Sequence, residues 1–158
     1  MKIKKPLLLV ASILLSQLAG IIGSLATASA ISTWYVTLVK PDFNPPNWIF
    51  GPVWITLYTL MGIALYLVWS KGNQIPQVKT ATSIFLLHLV VNSAWSIAFF
   101  GLKNLGLALA IIIVLWLMIV LLIRLFSKLN IWASRLLWPY LLWVSFATLL
   151  NFSLWQLN

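Results

Sequence analysis

Few side chains in this sequence could do chemistry, and the usual catalytic types are nearly absent. Ten basic residues stand against one acidic residue, Asp42; there is one histidine, His88, and no cysteine. Paired carboxylates for acid–base work, a Ser-His-Asp triad and a metal-binding cluster all need more than this. No glycine-rich phosphate loop occurs. The set argues against a conventional hydrolase or an ATP-driven pump. No metal and no cofactor is expected, and disulfide or thiolate chemistry is out of reach. Aromatic rings, in contrast, are abundant: 10 Trp, 8 Phe and 4 Tyr. Rings, amides and hydroxyls in an apolar setting suit flat polycyclic ligands, held by stacking and a few hydrogen bonds.

Those groups recur at helical spacing. Trp54, Tyr58, Met61 or Gly62, and Leu65 share one face. That face reads equally as a packing or lipid-facing stripe. His88, Asn92, Trp95 and Phe99 share another. Polar groups at membrane depth are expensive and rarely face lipid, so this face should point inward. Asn92 could make an interhelical hydrogen bond or meet a ligand; His88 reads as a satisfied packing histidine. Tyr140, Trp143, Ala147 and Asn151 form a third face. The small Ala147 beside Trp143 leaves room for a ligand or for a neighbouring helix. The stretch from Trp34 to Trp69 stands apart. It holds Asp42, four of the seven prolines (Pro41, Pro45, Pro46 and Pro52) and four of the ten tryptophans. A stiff loop of this kind would cap a ligand at a lower cost in ordering entropy than a glycine-rich one.

The elements that must position these faces are membrane helices. The 158 residues are 63% hydrophobic and 7% charged, with a mean hydropathy of +1.05. This is the composition of an all-α integral membrane protein, with 1–158 as a single domain. Five apolar stretches, about 6–28, 48–70, 80–101, 105–127 and 135–156, approach the roughly 20 residues needed to cross a bilayer. They are helices, because backbone groups in lipid must be satisfied within the segment. Only 102–104 separates the third from the fourth, so those two should be antiparallel neighbours. Lys2, Lys4 and Lys5 before an apolar run, with Ala28-Ser29-Ala30 after it, resemble a signal peptide. The length of the run favours a retained helix. Gly20 with Gly23, and Ala94 with Ala98, would allow close helix contact or dimerisation.

The net charge of +9 fits topology and contact with anionic headgroups rather than nucleic acid. Eight cations (Lys2, Lys4, Lys5, Lys71, Lys79, Arg124, Lys128 and Arg135) fall on one side and two (Lys40 and Lys103) on the other. The positive-inside rule then places the N-terminus in the cytoplasm, with the C-terminus and the 29–47 loop on the opposite side.

Several long segments, in order, resemble a known family. They are WY at 34–35, KPDFNPPNWIFGPVW at 40–54, LYTLMGIALYLVW at 57–69, NSAWSIAFFGLKNLGLAL at 92–109 and PYLLWVSFATLLN at 139–151. Over about residues 20–158 the chain resembles the TspO/MBR family, that of the translocator protein or peripheral-type benzodiazepine receptor. The resemblance implies a five-helix bundle, commonly a homodimer, with a pocket capped by the first loop. It implies planar hydrophobic ligands such as protoporphyrin IX, drug-like isoquinolines and benzodiazepines, and in some members cholesterol. By position, the implied pocket falls on Trp34, Tyr35, Pro46, Trp54, Tyr58, Asn92, Trp95, Phe99, Trp143, Ala147 and Leu150. The expected function is a tetrapyrrole receptor or sensor, with the macrocycle between Trp54 and Trp143 and hydrogen bonds from Asn92 and Tyr35 or Tyr58. The alternatives are light- and oxygen-dependent porphyrin breakdown, with Trp54 and Trp143 as the catalytic residues, and porphyrin or sterol transport. The family's proposed sterol motif needs a tyrosine and a basic residue where this chain has Phe152 and Gln156, which argues against high-affinity sterol binding.

Overall fold

The computed structural model describes residues 5–72 and 74–158. Lys2 and Lys4, which the topology argument uses, lie outside that range. Among the described residues all regular structure is helical, and five segments are long and apolar enough to cross a membrane. The chain is a multi-pass integral membrane protein.

The first span is α1 (Pro6–Thr33), with proline in its first turn, where the missing N–H costs nothing. It runs several residues past the boundary expected near 28. Alanine and serine do not interrupt a helix in lipid, and the Thr27 and Thr33 hydroxyls donate back to carbonyls one turn earlier. The connecting loop therefore begins after Thr33 rather than at 29. It contains two short 3-10 turns, Tyr35–Thr37 and Asn47–Ile49, and leads into α2 (Phe50–Trp69).

The third span starts earlier than expected, because Pro76 opens α3 (Pro76–Ser96) in the helix's first turn. α3 ends in a π turn, Ile97–Gly101, with Leu102 N–H donating to Ile97 O at 2.8 Å. The expected tight turn follows, with Lys103 at φ 53° in the left-handed region. Asn104 then caps α4 (Leu105–Leu129) by accepting from Leu107 N–H at 2.9 Å. α3 and α4 pack as neighbours, as the short turn requires.

The fifth span is two helices rather than one. α5 (Ile131–Arg135) is capped by Asn130, and α6 (Trp138–Leu157) begins afresh with proline in its first turn. Proline tolerates that position and not a helix interior, so the chain breaks at 136–137.

Around the bundle α2 packs on α1, α1 on α3, α3 on α4 and α4 on α6. The ring closes where α2 meets α5. Nearer the loop, large rings hold α2 and α6 apart: Phe50 stands against Trp143, and Trp54 against Tyr140. Gly62 makes a close crossing of α2 on α1, since a Cβ there would lie 2.5 Å from Ile13 Cα. Gly20 and Gly23 are both covered inside the fold, facing Tyr58 and Ser96 respectively. The interior is filled by residues such as Met61, Leu65, Phe85, Ile119, Leu122 and Phe126, while Leu7, Leu25, Val90 and Leu142 face outward.

Candidate functional site

The opening of the bundle at the loop end leaves a cavity of about 450 Å³ bounded by α1, α2, α3 and α6. That volume is typical of small-molecule sites. Its wall is aromatic. Trp54 and Tyr58, one turn apart on α2, stack with centroids 5.5 Å apart and planes at 28°. Trp54 also leans on Trp95 at 6.1 Å, and Trp95 on Phe99 at 5.6 Å. The π turn brings the consecutive residues Phe99 and Phe100 together onto the wall, their centroids 4.6 Å apart.

One end of the cavity is polar. Tyr58 Oη–H donates to Asn92 Oδ1 at 2.5 Å, and Asn92 Nδ2 donates to Tyr140 Oη at 2.8 Å. Tyr140 Oη lies 2.8 Å from His88 Nε2. His88 is thus a core histidine with Nε2 bonded; its Nδ1 has the Phe85 carbonyl on its side but no hydrogen bond of full geometry among the described residues. A separate pair steadies the wall: Trp95 Nε1 donates to Asn151 Oδ1 at 3.2 Å, and Asn151 Nδ2 donates to Leu105 O at 2.9 Å.

The first loop closes the end. Tyr35 is buried, its hydroxyl donating to Asn44 Oδ1 at 2.6 Å, and Lys40 Nζ sits 5.0 Å over its ring. Burial pushes the Tyr35 hydroxyl up to about 12. The last residue holds the loop from above: Asn158 accepts from Val39 N–H at 2.9 Å and donates to Val39 O at 3.0 Å.

Eight of the eleven residues singled out from the sequence line this cavity: Tyr35, Trp54, Tyr58, Asn92, Trp95, Phe99, Ala147 and Leu150. The other three do not. Trp34 packs edge-on behind Phe99 at 5.7 Å. Pro46 is exposed and precedes the second 3-10 turn. Trp143 packs on Phe50 at 6.0 Å and Phe146 at 5.5 Å, and it is Phe50 that faces the cavity. A sandwich between Trp54 and Trp143 is therefore not formed; Trp54 is paired with Tyr58 and Trp95 instead.

The contribution of α1 was missed by sequence reasoning. Gln17, Gly20, Ser24, Thr27 and Ile31 line the cavity from that side. The signal was present as small and polar residues recurring every three or four positions in an apolar helix. Gln17 Nε2 bridges to α2, donating to Ile55 O and Thr59 Oγ1, both at 3.0 Å. Ile21 and Ile55 border the cavity and are also exposed on the outer surface, so its mouth lies between α1 and α2, facing the bilayer.

The profile of the TspO/MBR family matches residues 12–156. The chain belongs to the TspO/MBR family. The tryptophan-rich protein TspO of Archaeoglobus fulgidus is 45% identical over 150 residues, 95% of this chain and 96% of that one. The protein of the same name from Chlorobaculum tepidum is 44% identical over 139 residues, 88% of each chain. The translocator protein of Bos taurus is 34% identical over 146 residues, 92% of this chain and 86% of its own. Family membership thus spans the whole bundle, including the α1 face that lines the cavity.

Proposed function

We propose that this protein is a membrane receptor or sensor for tetrapyrroles of the protoporphyrin IX kind, held in the cavity at the loop end. The observation that carries the reading is the continuous aromatic wall of Trp54, Tyr58, Trp95, Phe99 and Phe100 beside one polar anchor at Asn92. A ligand arriving through the mouth between α1 and α2 comes from lipid, not water. Lipid tails are as apolar as the cavity, so buried area alone gives little preference for the site. Selectivity then rests on ring stacking and on the anchor. Only one of the two indoles once paired by sequence, Trp54, reaches the cavity, which favours binding over a breakdown reaction that uses both.

The test is quenching of tryptophan fluorescence by protoporphyrin IX in lipid nanodiscs. A stack between the Trp54 indole and the macrocycle contributes about 0.5–1.5 kcal/mol beyond area, and truncating the ring also removes its contact area. Trp54→Ala should weaken saturable binding by about tenfold; unchanged affinity would remove the cavity from consideration.

The reading includes an orientation and a partner copy. Lys5, Lys71, Lys79, Arg124, Lys128 and Arg135 lie at the end away from the loop, and Lys40 and Lys103 at the loop end. The positive-inside rule puts the loop and cavity on the non-cytoplasmic side. Pairing into a homodimer would use a surface other than Gly20 and Gly23, which are covered within the protomer. Light scattering in detergent tests it, with a mass of one chain as the contrary result.

A further inference from the structure

Tyr58, Asn92, Tyr140 and His88 form a single file of hydrogen bonds from the cavity wall into the closed core. Tyr58 and Asn92 line the cavity, while Tyr140 and His88 lie behind it with no exposed surface. With the Asn92 amide set so that Nδ2 faces Tyr140, the sense of each bond follows from the inventory of donors. Asn92 Nδ2 can only donate to Tyr140, so the Tyr140 hydroxyl proton has one acceptor left, His88 Nε2. His88 is then the neutral tautomer protonated at Nδ1. Donation runs in one direction, from Tyr58 through Asn92 and Tyr140 to His88. The cavity meets Tyr58 Oη as an acceptor, because its proton is committed to Asn92.

The same heavy atoms support the opposite sense. With the proton on Nε2, His88 donates to Tyr140, and Tyr140 donates to Asn92 Oδ1 after a half-turn of the amide. Asn92 Nδ2 then donates to Tyr58 Oη, whose own proton is free to point into the cavity. One proton leaves Nδ1 and one arrives at Nε2, exchanged with water during transient opening of the core, so the imidazole stays neutral. A histidine tautomer is normally held by whatever its second nitrogen bonds. The Phe85 carbonyl, one turn back on α3, favours a proton on Nδ1, but Nδ1 makes no hydrogen bond of full geometry among the described residues, so the ligand-free form is biased and not locked.

We infer that His88 is a positioning residue whose tautomer decides whether Tyr58 offers the cavity an acceptor or a donor. The site thereby accommodates two chemical classes of flat ligand: those that present an N–H, as pyrroles do, and those that present only a carbonyl. A ligand selects the sense that it binds better. The inference rests on the cavity being the ligand site.

Two tricyclic probes of one shape separate the classes: carbazole, whose polar group is an N–H, and fluorenone, whose polar group is a carbonyl. Binding is followed by tryptophan quenching and by competition with protoporphyrin IX. The chain has one histidine, so nitrogen NMR with isotope-labelled histidine reports on His88 without assignment. The ligand-free and carbazole-bound proteins should carry the proton on Nδ1, and the fluorenone-bound protein on Nε2. His88→Leu removes the acceptor for Tyr140 and holds the reversed sense. The ratio of fluorenone to carbazole affinity should then rise by roughly two- to tenfold, the net effect of one hydrogen bond. A merely structural role would weaken both probes together. Fluorenone bound with the proton still on Nδ1, or a ligand-free protein protonated on Nε2, overturns the inference. If neither probe quenches saturably or competes with protoporphyrin IX, the cavity itself is not the ligand site, and the inference falls with that reading.

Discussion

Replacing Gly20 with alanine puts a Cβ 2.5 Å from Tyr58 Cε2, 2.8 Å from Cδ2 and 3.3 Å from Cζ. Real carbon contacts do not come that close, so the Tyr58 ring must move. It cannot move freely, because its hydroxyl is tied to Asn92 and its face lies on Trp54. Two losses follow. Overpacking of this kind costs about 1–3 kcal/mol of stability. The displaced ring also gives up its stack with Trp54 and its place in the polar file. A Tyr58 ring moved off the cavity wall loses its own contact with the macrocycle, which corresponds to a weakening of protoporphyrin IX affinity by about two- to tenfold. Gly51→Ala is the control: Gly51 also lines the cavity, but a Cβ there meets nothing within 4 Å among the described residues. The assay is thermal unfolding in detergent together with the quenching titration, run on Gly20→Ala, Tyr58→Ala and the double variant. Removing the ring should make the extra methyl harmless, so the double variant should be no less stable than Tyr58→Ala alone. Equal losses for Gly20→Ala and Gly51→Ala, or additive losses in the double variant, would refute this account of the α1–α2 contact.

Three further outcomes are expected. Tyr35 is held neutral in the fold up to about pH 12, against 10 in the unfolded chain; its contribution to stability is complete below pH 10 and is lost as pH rises from there towards 12. Tyr35→Phe should flatten that alkaline loss in an unfolding series, and an unchanged pH dependence would exclude the loop tyrosine as its source. Because Trp143 packs behind Phe50, Trp143→Phe should change protoporphyrin IX affinity less than twofold, and the absorbance bands under light and oxygen should bleach no faster in wild type than in this variant. A faster, Trp143-dependent bleaching with a defined product would instead restore the breakdown reading. A reporter fused after Asn158 should be active only outside the cytoplasm; cytoplasmic activity would reverse the assigned topology.

Much of the architecture was legible along the chain, for a local reason. A span in lipid satisfies its own backbone, so twenty apolar residues identify it without knowledge of its neighbours. The inward face of α3 was legible by the same logic, since His88 and Asn92 could not face lipid, and both are buried. The three-residue turn at 102–104 dictated that α3 and α4 pair. Three features depended on contacts between helices and could not be read from periodicity. The fifth span divides at 136–137, where Pro139 suits the start of a new helix as well as it suits a kink. Trp143 shares a helical face with Tyr140 and Ala147, yet Phe50 of α2 occupies the position that would have brought it to the ligand. α1 supplies a cavity wall because Gly62 lets it cross α2 tightly at Ile13 while Gly20 admits the Tyr58 ring further along. Helical spacing states which residues share a face. Which face meets which, and in which direction the hydrogen bonds between them run, was decided only when the five spans came together.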